Sequence, residues 1–418
     1  MGLPYTEEWD DETAPWFHIV QDMLATAGIT INGTRPFDIR VLNPNFFKRI
    51  LREGSLGLGE SYMDEWWECE RLDMFSHRVL RAGLDTQLPR RLHDLTRVAL
   101  SRITNLQSRR RAQVVGKAHY DLGNDLFTLM LDPYMQYSCA YWKQAQTLEQ
   151  AQEDKLTMIC EKLQLKSGMT LLDIGCGWGG LAEFAARHYG VSVYGVTISR
   201  EQQMLAQQRC QNLNVTIELQ DYRDLDRQFD RVVSVGMFEH VGPRNYDNYF
   251  RVVRRNLKPD GLFLLHTIGA NKTNPHIDPW IHKYIFPNGC IPSIQHIAQA
   301  SEPYLVMEDW HNFGSDYDRT LMAWHARFQQ NSPPLSTRYT ARFRRMFSYY
   351  LNFLCRSLQS KKTSALAGRV QHGWDRRRVT CFTLTEKRKP DDTVRPVCKN
   401  RQCRISVFLA ELARLLAG

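Results

Sequence analysis

The most constraining feature of this chain is a glycine turn set between two strongly patterned segments. Met169-Thr170-Leu171-Leu172-Asp173 reads as a buried strand, Ile174-Gly175-Cys176-Gly177-Trp178-Gly179 as a tight turn, and residues 181–188 as a helix. A helical pattern over 151–163 precedes it. Strand patterns follow at 191–196, 215–219, 229–235 and 261–265, with a helix over 201–211. Parallel strands need long crossover connections, usually helical. The alternation predicts an α/β fold, a doubly wound parallel sheet of Rossmann-like type. Ligands of such sheets bind at the carboxyl ends of the strands.

The spacing of the turn narrows the ligand. A dinucleotide site needs GxGxxG, with the pyrophosphate on the helix N-terminus. Here Gly175, Gly177 and Gly179 are spaced GxGxG, with Asp173 two residues ahead. S-adenosylmethionine has no pyrophosphate; it carries an amino-acid end and a sulfonium. Glycines admit the backbone to the methionine part, and a carboxylate suits an ammonium. The pattern predicts a class I methyltransferase sheet. An acid at the end of the second strand, common in this class, is replaced by Thr197-Ile198-Ser199-x-x-Gln202, so Thr197 and Gln202 are expected to hold the ribose hydroxyls. Asp221, after the third strand, suits the adenine amino group. Each of these polar residues also suits a bland cap or turn.

Charge and cysteine content exclude other classes. The net charge is +9, yet residues 355–418 alone hold 15 Lys/Arg against 5 Asp/Glu. The rest is close to neutral, so no nucleic-acid partner is expected. The ten cysteines form no CxxC pair, which predicts free thiols rather than a zinc or redox motif. Glu239-His240 has no third ligand at metal spacing, and no metal is expected. No run of about 18 apolar residues predicts a membrane-crossing helix. The acidic opening residues do not resemble a signal peptide.

Residues 15–105 read as mainly helical. A helix over 46–51 ends at Gly54, and Gly54, Gly57 and Gly59 read as a glycine-rich bend. Tyr62, Trp66 and Trp67 cluster; core packing is the plain reading, an acyl-chain or membrane-facing surface the alternative. Residues 101–118, with Arg109-Arg110-Arg111, read as a basic connector. The expected organisation is a smaller helical N-terminal domain (1–105), a linker (106–118) and a catalytic domain (119–352).

Several motifs then become specific. Glu53-Gly54-Ser55-Leu56-Gly57-Leu58-Gly59-Glu60, His119-Tyr120-Asp121-Leu122-Gly123-Asn124-Asp125, Met135-Gln136-Tyr137-Ser138-Cys139, Gln220-Asp221-Tyr222-Arg223, Met237-Phe238-Glu239-His240, Leu265-His266-Thr267-Ile268-Gly269 and Gly314-Ser315-Asp316-Tyr317 resemble the cyclopropane-fatty-acyl-phospholipid synthase family, from about residue 14 to 352. The resemblance implies methyl transfer from S-adenosylmethionine to the cis double bond of an unsaturated phospholipid acyl chain, then closure to a cyclopropane. It implies bicarbonate as the base, in a pocket of Cys139, Glu239, His266, Ile268 and Tyr317. Cys139 and Ile268 are expected to offer backbone N–H groups to it. Tyr137, Ser138 and Gln220 join the donor site. It also implies a homodimer and a cytoplasmic enzyme transiently at the inner face of the membrane. A methyl-branching enzyme and a catalytically impaired lipid-binding protein are the alternatives.

After Asn352 the resemblance stops. The family continues with Cys-Ala-Gly-Ala-Phe and then Leu-Trp-Gln-Val-Val-Phe. Codons compatible with residues 353–359 and 364–370, read one base later, encode both segments. The sequence therefore predicts a one-base insertion near codon 353. It makes residues 353–418, with Cys355, Cys398 and Cys403, an aberrant tail, and leaves the family's closing helix absent.

Overall fold

The computed structural model describes residues 12–84, 123–270, 273, 278–331, 337–359 and 377–386. All belong to one unit, Met1–Glu386. The expected linker at 106–118, residues 119–122 of the histidine motif, and Cys398 and Cys403 lie outside the described residues.

The N-terminal part contains α1 (Ala14–Ala25), α2 (Asn45–Glu53), α3 (Ser55–Met63) and α4 (Leu72–Ala82), with a two-stranded ribbon of β1 (Arg40–Val41) and β2 (Trp67–Glu68). Gly54 ends α2 with φ 60°, a conformation favouring glycine. The expected bend at Gly57 and Gly59 is not there, because both lie inside α3. Their lack of a side chain serves close approach instead. A Cβ on Gly57 would sit 2.6 Å from the Arg49 carbonyl oxygen, and one on Gly59 would sit 2.4 Å from the Trp280 ring. Trp67 is fully buried, and Tyr62 packs against Trp67 and Tyr349, with ring centroids 5.2 and 5.6 Å away. Core packing is the role these two aromatics have.

The remaining elements are α5 (Asn124–Met130), α6 (Leu148–Lys162), β3 (Thr170–Ile174), α7 (Gly180–Tyr189), β4 (Ser192–Thr197), α8 (Arg200–Arg209), β5 (Val215–Leu219), β6 (Phe229–Val235), α9 (Tyr246–Asn256), β7 (Leu257–Ala270), α10 (Pro279–Tyr284), α11 (Ile294–Ser301), β8 (Leu305–Asn312), α12 (Asp316–Gln330), α13 (Ala341–Gln359) and β9 (Arg377–Glu386). The seven-stranded sheet runs β5-β4-β3-β6-β7-β9-β8. Strands β3 to β7 are parallel, and β9 is antiparallel to both neighbours. Leu171 and Leu172 belong to different core clusters, as the two-residue period of a strand covered on both faces requires. The order reverses at β3, so the carboxyl ends of β3, β4 and β6 open a crevice at one edge.

The tail corrects the sequence expectation. Helix α13 continues past Asn352 to Gln359, and Phe353 and Leu354 are buried. Strand β9 pairs with β7 from Leu262↔Thr385 to Ala270↔Arg377, and with β8 on its other side. Residues 377–386, Arg-Arg-Val-Thr-Cys-Phe-Thr-Leu-Thr-Glu, are rich in β-branched and aromatic types that suit a strand. The inserted-base reading of the gene stands as a proposal, and codons incompatible with the one-base offset would refute it. Removing β9 strips β8 of its partner in this sheet and bares one side of β7. A chain ending at Gln359 should therefore aggregate, while one ending at Glu386 should stay monodisperse, as measured by size-exclusion chromatography and sedimentation.

Candidate functional site

The site grows from the carboxyl ends of β3, β4, β6 and β7. In the turn after β3, Gly175, Gly177 and Gly179 have φ of 83°, 54° and 77°. A Cβ at Gly175 would meet Met237 at 2.8 Å, and one at Gly179 would meet Ala206 at 2.9 Å. At Gly177 it would meet nothing within 4 Å, so the turn presents bare backbone to open space. Asp173, the penultimate residue of β3, is 2% exposed, and its Oδ2 has no hydrogen-bond partner. Burial pushes its carboxyl up to about 7, and the Lys155 charge acts against that rise. A buried carboxylate oxygen without a donor, beside an open glycine turn, fits the ammonium of S-adenosylmethionine.

The other expected donor-site residues lie after β4, after β5 and on the segment before α6. Thr197 and Gln202 are both buried; the Thr197 hydroxyl donates to Gln202 Oε1 at 2.9 Å and accepts from the Ser199 N–H at 3.2 Å. They form a fixed pair at the end of β4. Gln220 follows β5, and its N–H donates to the Thr197 carbonyl at 3.0 Å. Asp221 accepts two bonds from the Arg223 guanidinium, at 2.8 and 2.5 Å, and caps the turn it begins. Tyr137 and Ser138 lie on the segment before α6. The Tyr137 and Tyr350 hydroxyls are 2.9 Å apart, and Ser138 Cβ lies 3.7 Å from where a Cβ on Gly236 would be.

The second half of the site lies at the ends of β6 and β7. Glu239 follows β6; its Oε1 accepts the Ile268 N–H at 2.7 Å, while Oε2 is buried without a partner. Burial raises its carboxyl, and the Ile268 amide opposes the rise. His266 on β7 is 2% exposed, stacked on Phe313 at 5.2 Å, with neither ring nitrogen partnered. Burial pushes its pKa down to about 3, so it is the neutral imidazole. Tyr317, opening α12, is buried and interacts electrostatically with Cys139 and Glu239. Burial holds the Cys139 thiol well above its ordinary value, which leaves no thiolate for a nucleophilic role. Glu239, Ile268, Tyr317 and Cys139 thus converge, and His266 shares β7 with Ile268. The Ile268 amide differs from expectation, because it is spent on Glu239 and orients that carboxylate.

A family model described as mycolic acid cyclopropane synthetase matches residues 107–366. The cyclopropane-fatty-acyl-phospholipid synthase of Escherichia coli (strain K12) is 68% identical over 337 residues, covering 81% of this chain and 88% of that protein. The chain belongs to the cyclopropane synthetase family. A solved cyclopropane synthase from Mycobacterium tuberculosis aligns with TM-score 0.60 at 29% identity, over 66% of this chain and 98% of that one. A mycolic acid cyclopropane synthase complexed with SAH and CTAB aligns with TM-score 0.59 at 31% identity, over 66% and 98%. The fold is that of the class I methyltransferases, and the chain is an S-adenosylmethionine-dependent methyltransferase of this family.

Sequence reasoning missed Lys155 and Gln152 of α6, both fully buried. The available signal was positional: Leu148, Gln152, Lys155 and Ile159 recur at helical spacing on one buried face. The Asp173 geometry carries a prediction. An approaching ammonium favours the ionised carboxylate, so donor-site affinity should rise with pH through about 7. For S-adenosylhomocysteine, calorimetry should show about tenfold tightening between pH 6 and 8. Asp173→Asn should abolish that dependence and weaken binding. It should also raise the unliganded melting temperature at pH 8 by about 2–4 °C, because a desolvated charge is removed.

Proposed function

We propose that this chain transfers the methyl of S-adenosylmethionine to the cis double bond of an unsaturated acyl chain in a membrane phospholipid and closes the product to a cyclopropane. The observation that carries the reading is a pair of buried polar groups without partners, Glu239 Oε2 just after β6 and the ring nitrogens of His266 on the adjoining β7, with Glu239 held to β7 by the Ile268 N–H. A donor site alone would serve any methyl acceptor. A buried acceptor and a neutral imidazole together fit a small ion that both donates and accepts hydrogen bonds, which is the chemistry of bicarbonate.

The alkene π pair attacks the methyl carbon as the S–CH3 bond breaks, leaving S-adenosylhomocysteine and a carbocation beside the new methyl. Loss of a proton from that methyl lets the C–H pair close the ring. Bicarbonate, when bound, supplies the base for that proton. Glu239 would accept a hydrogen bond from the ion through Oε2, its orientation fixed by the Ile268 amide. His266 and Tyr317 would donate to its oxygens. Holding the base in the protein rather than using a carboxylate directly keeps Glu239 from being alkylated by the cation. Tyr141 and Phe313 pack with ring centroids 5.8 Å apart, and Phe313 covers His266. Such packing excludes the water that would capture the cation as an alcohol. Asp221 would hold the adenine amino group, with Thr197, Gln202 and Gln220 at the ribose and Tyr137 and Ser138 against the methionine part.

Among the described residues no helix is long and apolar enough to cross a membrane. The substrate lies in a bilayer, so the reading includes transient docking on the inner face of the membrane, by a homodimer in the cytoplasm. The decisive experiment incubates the protein with unsaturated phospholipid vesicles and labelled S-adenosylmethionine, then analyses the acyl chains. Cyclopropane chains are expected. Methyl-branched chains would replace the ring-closing reading, and label-free lipid would overturn it. Glu239→Gln should lower ring formation by about 10²–10³-fold while leaving S-adenosylhomocysteine affinity within about twofold.

A further inference from the structure

The cation buried between the two halves of the site has no role in the chemistry above. Lys155 is 0% exposed. Its Nζ donates to Gln136 Oε1 at 2.5 Å and to Ser138 Oγ at 3.0 Å. One turn earlier on α6, Gln152 Nε2 donates to the carbonyl oxygens of Gln136 and Ser138, at 3.2 and 3.1 Å. Two side chains of one helix face therefore grip the same two residues of the preceding segment. Tyr137 lies between those residues and Cys139 follows them. The segment is fixed upstream as well, where Asp132 accepts the N–H groups of Tyr134 and Gln136 at 2.9 and 2.8 Å. Downstream, the Ala140 N–H donates to the Thr320 hydroxyl at 3.1 Å.

A methionine would fill the same space without the cost of burying an ammonium whose direct acceptors are neutral. The charge has other company. Asp132, Asp173 and Cys139 interact with it electrostatically, and it acts on His266. With Lys155 protonated and both aspartates ionised, this buried set is one negative charge in excess. S-adenosylmethionine, with an ammonium, a sulfonium and a carboxylate, is one positive charge in excess.

We propose that Lys155 is a positioning residue for methyl transfer. Its ammonium holds segment 136–139 so that Tyr137, Ser138 and Cys139 face the donor and the pocket beyond it, and it balances Asp132 against Asp173. This rests on the donor-site reading given above for Tyr137, Ser138 and Asp173. Lys155 makes no contact with the reacting atoms in this role; it acts through the segment.

Burial brings the Lys155 ammonium down to about 8. As pH rises through that value the charge is lost and the charge-assisted hydrogen bonds to Gln136 and Ser138 weaken, and activity falls. The groups facing it are Asp132 and Cys139 from the loop before α6, Asp173 at the end of β3 and His266 on β7. Burial keeps the Cys139 thiol and the His266 ring neutral across this range, and Asp173 titrates near 7, below it.

The test uses the full chain, unsaturated phospholipid vesicles and steady-state kinetics from pH 6.5 to 9.5. Lys155→Met is expected to raise KM for S-adenosylmethionine about tenfold or more, to leave the apparent KM for vesicle lipid within about twofold, and to lose the alkaline fall near pH 8. Lys155→Arg should recover part of the affinity and move the alkaline fall above pH 9. Wild-type KM and pH profile in Lys155→Met would overturn the proposal. So would a loss of kcat with both KM values unchanged, the mark of simple loss of folded enzyme. If Lys155→Met does not fold, Gln136→Met keeps the lysine and removes its 2.5 Å acceptor, along with the Gln136 Nε2 bond to the Tyr134 carbonyl. It should raise KM for S-adenosylmethionine several-fold, and wild-type values there would overturn the proposal. Asp173→Asn separates the two readings. If it loses S-adenosylhomocysteine binding while Lys155→Met does not, the Lys155 proposal fails and the donor site stands. If it too binds normally, the donor-site reading falls with it.

Discussion

The site is organised around a carboxylate kept out of water. Asp173 is the penultimate residue of β3, between two parallel neighbours, and one of its oxygens has no donor at all. Leaving such a group unsatisfied costs on the order of 1–3 kcal/mol, and the nearby cation relieves it only through space, without a hydrogen bond. Lys155 is near enough to act on it electrostatically, but its hydrogen bonds go to Gln136 and Ser138. On the donor-site reading proposed above, this is a centre that favours an incoming cation over water. Gly177 leaves open space in the adjoining turn, so room and charge lie on the same strand-to-turn segment.

Much of this was legible in the sequence because it follows from local pattern. The apolar run ending in Asp173 and the GxGxG spacing fix a strand, a turn and a helix, and the following strands repeat the period. Glu239 and His266 were named by the family resemblance rather than by pattern; the fold then puts the first just after β6 and the second on β7, on the side where a parallel sheet holds its ligands. What was not legible depends on tertiary contact. Gly57 and Gly59 read as a bend because glycine is a local helix breaker. Their reason for being glycine is the Arg49 carbonyl and the Trp280 ring, the latter more than 200 residues away. Lys155 hides for the opposite reason, since a lysine in a helix is normally solvated. The Ile268 amide was expected, by resemblance, to face the ion; that it is spent on Glu239 had no residue signature to show it.

The N-terminal helices are tied to the catalytic part by charge as well as packing. Arg49 of α2 pairs with Glu60 of α3 at 2.5 Å and Asp64 at 2.7 Å. Glu60 also accepts from Lys283 at 2.5 Å and from the Tyr284 hydroxyl at 2.8 Å, both on α10, and Arg342 of α13 reaches Asp64 at 2.8 Å. The chain leaving α10 runs to Cys290, whose N–H donates to the Glu239 carbonyl at 2.8 Å. A carboxylate of the N-terminal part is thus one helix and one short segment from Glu239, the residue proposed to orient the base. Burial opposes ionisation of Glu60, yet its three partners hold its carboxyl below the ordinary range, so the link stays charged at neutral pH.

The tail bears on the site through the sheet. Strand β7 carries both His266 and Ile268, and β9 pairs with it in register at those positions, His266↔Cys381 and Ile268↔Val379. An antiparallel ladder is made by backbone groups, so it constrains the side chains of β9 far less than its extended conformation and length. A ten-residue stretch rich in β-branched residues can therefore complete the sheet even where a shifted reading frame supplies it. The side chains that close the pocket come from elsewhere: Tyr317 and Phe313 precede the tail, and so does Tyr350, which meets Tyr137. A changed tail that keeps a strand between β7 and β8 leaves the backbone that carries His266 and Ile268 paired. One that loses the strand frees the very segment that holds His266 and Ile268.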